Sequence, residues 1–379
     1  MNSADRIHRA LVSRHADLNR YASGLSRKTL AMLDKLGKGL ARDLMDAGLD
    51  ATRTDWQRAR LRSLLKAVQE RTGKVYADIA EMHASEMSGL VEVSGAHITT
   101  AINGALGADL LIPPKWTAEQ LAAIASDVLI DGAPSAEWWS RQADGLTRAF
   151  ADQMRQGMLR GENIAQLRDR ILGQNLPGIG AVGKVDLRTV QPAARGLIQT
   201  ARRNAEGLVR SSVISTANAA HLAVYQANED IMEGMAWCAT LDMRTCARCA
   251  ALDGKRWTLD GDPIGHGIAF PGPALHWADR CTQLPVTKSW ETMARENGGN
   301  TRLARELDAM DVSTRASMDG QVSSKLTYEG WFAEQSAARQ EDILGPARFA
   351  LYKRGKLSFG DLVDGRGNPL TLEELSRKY

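Results

Sequence analysis

All four cysteines of this 379-residue chain, Cys238, Cys246, Cys249 and Cys281, fall in one short segment, and no other feature restricts its folding so tightly. Cys246 and Cys249 stand in a CxxC spacing, which lets one turn aim both sulfurs at a common centre. His276 follows 27 positions after Cys249, and Cys281 completes an HxxxxC arrangement. Three thiolates and one imidazole make a full tetrahedral shell for structural zinc, and a closed shell leaves no open position for catalysis. Cys238 can replace one of these ligands or lie buried as a small hydrophobe. Packed thiols without metal are an alternative, as is a disulfide, although clustered cysteines without a secretory signal favour reduced thiols.

The flanking residues read as scaffold. Asp242 and Thr245 can hydrogen-bond nearby backbone and hold the turn that presents the CxxC. Asp253-Gly254 predicts a tight hairpin in ALDGKRW, with Trp257 packed over the site. His266 and His276 lie in a Gly/Pro-rich loop with no matched Ser or Cys, so no nucleophile and base pair is evident. A treble-clef metal nuclease would also set a CxxC near a histidine, but its dense Asp/His/Asn signature is absent.

Outside this segment the chain is helical in character. Aromatic residues make up only 5% of the sequence, while Ala, Leu, Arg and Gly dominate, which argues against a sandwich or barrel. The expected fold is mainly α: an elongated helical region, then a small α+β Cys/His module and a short helical C-terminal extension. Boundaries are expected to give a basic helical arm (1–115), a helical domain (116–235), the Cys/His module (236–297) and the extension (298–379). The start is charged from Asp5, and no window reaches the roughly 18 uncharged apolar residues of a membrane span. Neither export nor a membrane anchor is expected.

In the first 75 residues, 16 Lys/Arg face 8 Asp/Glu, although the whole chain carries only +3. That surplus suits a polyanion or an acidic partner, and it equally suits a solvated helix face. From Trp56 to Met87, Leu61, Leu64, Leu65, Val68, Val75, Ile79 and Met82 recur at spacings of mainly three and four, the stripe of an amphipathic helix. Gly37, Gly39 and Gly48 are expected at helix ends, with Asp50 or Thr54 capping the next helix. Residues 89–116, rich in small side chains and closing on Pro113-Pro114, predict a boundary or extended arm in which His97 is a solvated loop histidine. Thr117 to Gln120 forms a capping box, and Trp138, Trp139, Leu146, Phe150, Met154 and Met158 follow at helical spacing as core. Residues 172–193 read as a loop, and a further helix is expected from about Ala194 to Ile231. The tail is expected to hold short helices broken at Gly345-Pro346 and Gly365.

The segment WCATLDMRTCARCAALDGKRW, followed by PALHWADRC, resembles the Mu F-like head-morphogenesis family, the minor capsid proteins of tailed bacteriophages. The resemblance rests on Trp237, Asp242, Thr245, Cys246, Cys249, Leu252, Asp253, Gly254, His276, Arg280 and Cys281. Helical stretches upstream and the YEGWFAEQ region downstream extend it over about residues 117–379. Many relatives close on His-Pro-Asn-Cys-Arg-Cys, whereas this chain has Asp279 in place of one closing cysteine; a carboxylate there could ligate zinc or pair with Arg280 or a neighbouring arginine. The resemblance implies a non-enzymatic, oligomeric protein of the virion head, assembled in the host cytoplasm near the portal. The partners it implies are the portal, the major capsid or the scaffold protein. The basic N-terminal arm suits sequence-independent contact with packaged DNA. A DNA-binding virion protein, or a metal-dependent nuclease or effector, is the alternative.

Overall fold

The computed structural model describes residues 3–48, 55–106, 109–173, 196–273, 275–277, 279–296, 302, 314–318, 320–323 and 325–378. The chain is predominantly helical, as its composition predicts. Three long helices, α1 (Ser3–Ala47), α2 (Asp55–Leu106) and α6 (Leu197–Gln226), carry much of it. Shorter elements are α3 (Ala118–Ser126), the two-residue strands β1 (Leu129–Ile130) and β2 (Ala133–Pro134), α4 (Ser135–Leu159) and α5 (Ile164–Leu172). Among the described residues no helix is long and apolar enough to cross a membrane. The chain divides into two compact units, each drawing a segment from all three long helices.

One unit comprises Arg20–Glu86 and Gly132–Ser212. Its core joins Leu33, Leu36, Leu40 and Leu44 of α1 with Leu64, Val68 and Ile79 of α2, and with Trp139, Phe150 and Met154 of α4, all buried. These positions repeat at three and four because one face of each helix turns inward. Gly37 and Gly39 lie inside α1, not at its end. A Cβ at Gly37 would stand 2.7 Å from Ile198 Cγ1, so glycine there permits close helix approach. Gly48, with φ of 55°, does end α1, as expected of a left-handed helix terminus. Asp50 and Thr54 fall outside the described residues, as does all of the 172–193 loop beyond Gly173.

The other unit comprises Met1–Asn19, Met87–Asp131 and Val213–Tyr379. Here α2 continues through most of the stretch expected to be a boundary. Leu90, Val91, Ser94, Ile98, Ile102 and Ala105 are buried along one face, so helical periodicity persists beneath the small residues. Gly95 has a packing role, because a Cβ there would lie 2.4 Å from the Trp116 ring. His97 is therefore a half-buried helix residue and not a solvated loop histidine. The Thr117–Gln120 capping box forms at the start of α3.

After α6 the chain enters a four-stranded antiparallel sheet of order β5-β4-β3-β6. Its strands are β3 (Met232–Cys238), β4 (Arg256–Trp257), β5 (Pro263–Ile264) and β6 (Thr282–Thr287), and α7 (Ala247–Leu252) lies between β3 and β4. The expected helix to Ile231 stops at Gln226, where Asn228 donates to Val224 O and its side chain also holds Ile112 through both backbone groups. Helix α8 (Trp290–Glu296) and a hairpin of β7 (Thr314–Ser317) and β8 (Gly320–Ser323) follow. The C-terminal extension holds α9 (Tyr328–Ala333), α10 (Ala337–Leu344), α11 (Pro346–Lys353) and α12 (Leu372–Lys378), with the expected break at Gly345-Pro346. Tyr328, Trp331, Phe332 and Phe359 stack at centroid distances of 4.8–5.3 Å and fix the extension through a buried aromatic core.

Candidate metal centre

The centre is built where β3, α7 and the start of β6 converge. β3 pairs with β6 in a register that sets Cys238 opposite Thr282, placing Cys281 at the end of the ladder. Thr245 Oγ1 donates to Thr240 O at 2.5 Å, and Asp242 accepts from the Arg244 amide, so the turn before the CxxC is held as its residue types predict. Cys246 then caps α7, its sulfur accepting from the Cys249 amide at 3.4 Å. One helical turn thus presents both thiols on the same side.

Asp253-Gly254 differs from the expected hairpin. It turns the chain from α7 into β4, with Gly254 at φ of 76° and Lys255 N–H donating to Leu252 O. The true hairpin is β4–β5, closed around Gly261. Trp257 is nonetheless fully buried in the same cluster as Cys249, Cys281 and Leu275. His266 packs edge-on against Trp257 at 4.9 Å; its Nδ1 accepts from the Ile268 amide, so Nε2 donates to Arg256 O at 2.9 Å. Both ring nitrogens are thereby occupied in scaffold bonds.

His276 is poised differently. Nδ1 donates to Trp277 O at 2.7 Å, which aims Nε2 at two sulfurs, Cys246 Sγ and Cys249 Sγ, each at 3.2 Å. That is the ring orientation a metal-ligating imidazole needs, with its outer N–H anchored by a carbonyl and Nε2 free to ligate once its own proton is displaced. Tetrahedral zinc with ordinary bond lengths requires S···N separations of about 3.5 Å, so these two pairs lie within a few tenths of an ångström of that geometry. Ligand atoms of Cys246, Cys249 and His276 lie within 4.8 Å of one another, and so do those of Cys249, Asp279 and Cys281. Cys249 is common to both groups. Cys238 is half-buried and belongs to neither; all four cysteines are free thiols.

The proton distribution follows from this crowding. The Cys249 hydrogen bond, helped by His276, lowers the Cys246 thiol to about 4, and Cys246 raises the His276 imidazole to about 9. Its neighbours Cys246 and Cys281, together with burial, push the Cys249 thiol upward. Proximity to Cys249 lowers the Cys281 thiol, but burial and the Asp279 charge leave it raised at about 11. These shifts favour a thiolate at Cys246 beside a protonated His276 and disfavour ionisation of Cys249 and Cys281. A bound cation would replace those protons, because zinc takes thiolate and neutral imidazole.

Asp279 does not pair with Arg280. It is buried and bonds the backbone of its own loop: Oδ1 accepts from the Cys281 amide at 2.9 Å, and Oδ2 accepts from the Leu275 amide at 3.0 Å. Arg280 instead forks onto Asp242 at 2.6 and 2.9 Å. That pair ties the loop bearing His276 and Cys281 to the turn bearing the CxxC.

Three supporting residues carry no local sequence signal. Asn218, buried on α6, donates to Pro273 O and Cys281 O and accepts from Thr282 Oγ1. Arg248 donates to Gly367 O at 2.8 Å and to Leu275 O. Tyr328 brings in the extension, its N–H donating to Asp253 Oδ2 at 2.7 Å and its hydroxyl to Asp242 O at 3.0 Å. Asn218 is visible in the sequence only as a polar residue at a core position of a helix.

Comparison with known proteins agrees with the resemblance carried by these residues. No curated protein and no solved structure gives a significant match. Residues 148–284, from within α4 to within β6 and including the whole Cys/His centre, match the family model described as Phage Mu protein F like protein, so this chain carries a Mu F-like segment.

Proposed function

We propose that this protein is a structural and assembly component of a tailed-phage head, a minor capsid protein placed near the portal, in which the Cys/His centre holds a structural zinc ion. The observation that carries the reading is the Mu F-like segment, residues 148–284, which contains every candidate ligand. Such a family match points to phage head morphogenesis. The ligands assigned are Cys246, Cys249, His276 and Cys281. Asp279 is assigned to holding their loop, because both of its oxygens already accept backbone N–H groups. Four protein ligands would saturate tetrahedral zinc, which suits a stabilising role and not an enzymatic one.

The partners proposed are the portal, the major capsid or the scaffold protein, met during assembly in the host cytoplasm. The cationic N-terminal region supports packaged DNA as a further contact. Particles purified on a density gradient test the assignment: the chain should co-sediment with full heads at low copy, and a deletion should reduce head yield. Its absence from particles, with normal heads in the deletion, would overturn the reading.

A further inference from the structure

One face of α1 carries a line of cations. Arg27, Lys35, Lys38 and Arg42 are exposed, and Arg20 lies on the same line. At 100° per residue they fall within a sector of about 80°, opposite the stripe of Leu25, Leu33, Leu36 and Leu40 that faces the core. Between Arg20 and Arg42 the only acidic residue is Asp34, and Asp34 pairs with Arg202. An ordinary solvated face looks different: on α2, Lys66 faces Glu70 and Lys74 faces Asp78 in i,i+4 pairs. Among the described residues Arg27, Lys35, Lys38 and Arg42 enter no ion pair.

We propose that this stripe is a docking surface for the phosphate backbone of duplex DNA, an inference that rests on the DNA-contact reading of the N-terminal region. Four cations over 16 residues span about 22 Å of helix, enough to follow a phosphate row. The stripe has no aromatic ring on which an unpaired base could stack, which separates it from a single-strand platform. Gly24 and Ala31 lie on the same line and let the helix surface approach the backbone closely.

With four phosphates neutralised, log K should fall against log salt with a slope of about −3.6, a loss of about 150-fold between 50 and 200 mM. Fluorescence anisotropy of the full chain with a random duplex of about 20 base pairs measures it. Replacing Arg27, Lys35, Lys38 and Arg42 together by Gln should flatten the slope while the thermal melt is unchanged. Replacing Lys66 and Lys74 by Gln should leave the slope intact. A quadruple variant with the original slope, a wild-type chain that does not bind the duplex, or tighter binding to a single strand of equal length would overturn the proposal. The particle assay tests the head assignment separately, so failure of one is distinguishable from failure of the other.

Discussion

Replacing Asp253 by Ala tests how the Cys/His centre is held. Its carboxylate is buried and accepts from two buried amides, Ala239 N–H and Tyr328 N–H, each at 2.7 Å. Removing it leaves both donors without that acceptor, and a buried unsatisfied donor costs about 1–3 kcal/mol, so the expected loss centres on about 4 kcal/mol within a range of about 2–6 kcal/mol. Asp253→Asn keeps one acceptor oxygen of the same shape and turns an NH2 group toward the second amide, so about half of that loss is expected. Urea denaturation followed by tryptophan fluorescence gives the stability change, and hydrogen exchange gives its location. Protection should fall by roughly 100-fold or more at Ala239 and Tyr328, since each 1.4 kcal/mol is tenfold. A loss below 1 kcal/mol in Asp253→Ala, or exchange unchanged at Tyr328, would refute the view that this carboxylate couples the extension to the centre.

Further outcomes follow from other parts of the molecule. Elemental analysis of purified protein should find near-stoichiometric zinc, and His276→Ala or Cys249→Ser should abolish it; a folded, zinc-free wild-type chain would exclude the ligand assignment. Gly234→Ala should destabilise the sheet by about 1–3 kcal/mol or more, because the new Cβ would meet the Trp257 carbonyl oxygen at 2.1 Å, and a melt equal to wild type contradicts this. Burial lowers His83 to about 4 and, with His97 and Arg14 nearby, lowers His221 to about 3. The unfolded chain therefore binds more protons below pH 6.5, so stability is full above that pH and is lost as pH falls toward 4, by on the order of 3 kcal/mol for His83. His83→Leu should flatten this acid limb, and an unchanged pH profile would show that His83 is not its source.

What could be read from the sequence was local. The Thr117 capping box needs only residues within four positions, and the core stripe through Leu146, Phe150 and Met154 needs only helical periodicity. That the CxxC, His276 and Cys281 would gather in one place was legible because metal-ligand chemistry restricts residue types and spacings so strongly. The errors share a different origin. Residues 89–106 look like a linker because their glycines lower helix propensity, yet burial of Ile98 and Ile102 outweighs that preference. Asp253-Gly254 has the composition of a hairpin turn, but α7 occupies the preceding residues and β4 takes its partner from β3, so the dipeptide changes element type instead. Asn218 and Tyr328 were invisible because their roles depend on residues 55 to 86 positions away.

The hydrogen bonds from Tyr328 to Asp253 and Asp242 bear on when the centre can form. A zinc finger closes within its own short segment, so a ribosome need expose only that segment for the metal to be captured. Here the turn that carries Cys246 and Cys249 is braced by a residue 79 positions beyond Cys249, and the loop of His276 and Cys281 is braced by Asn218 upstream. Closing so long a loop is slow and is possible only once the extension has been synthesised. A chain interrupted before Tyr328 would lack both bonds to the CxxC turn. The brace on the first half of the centre is therefore among the last parts of it to be made.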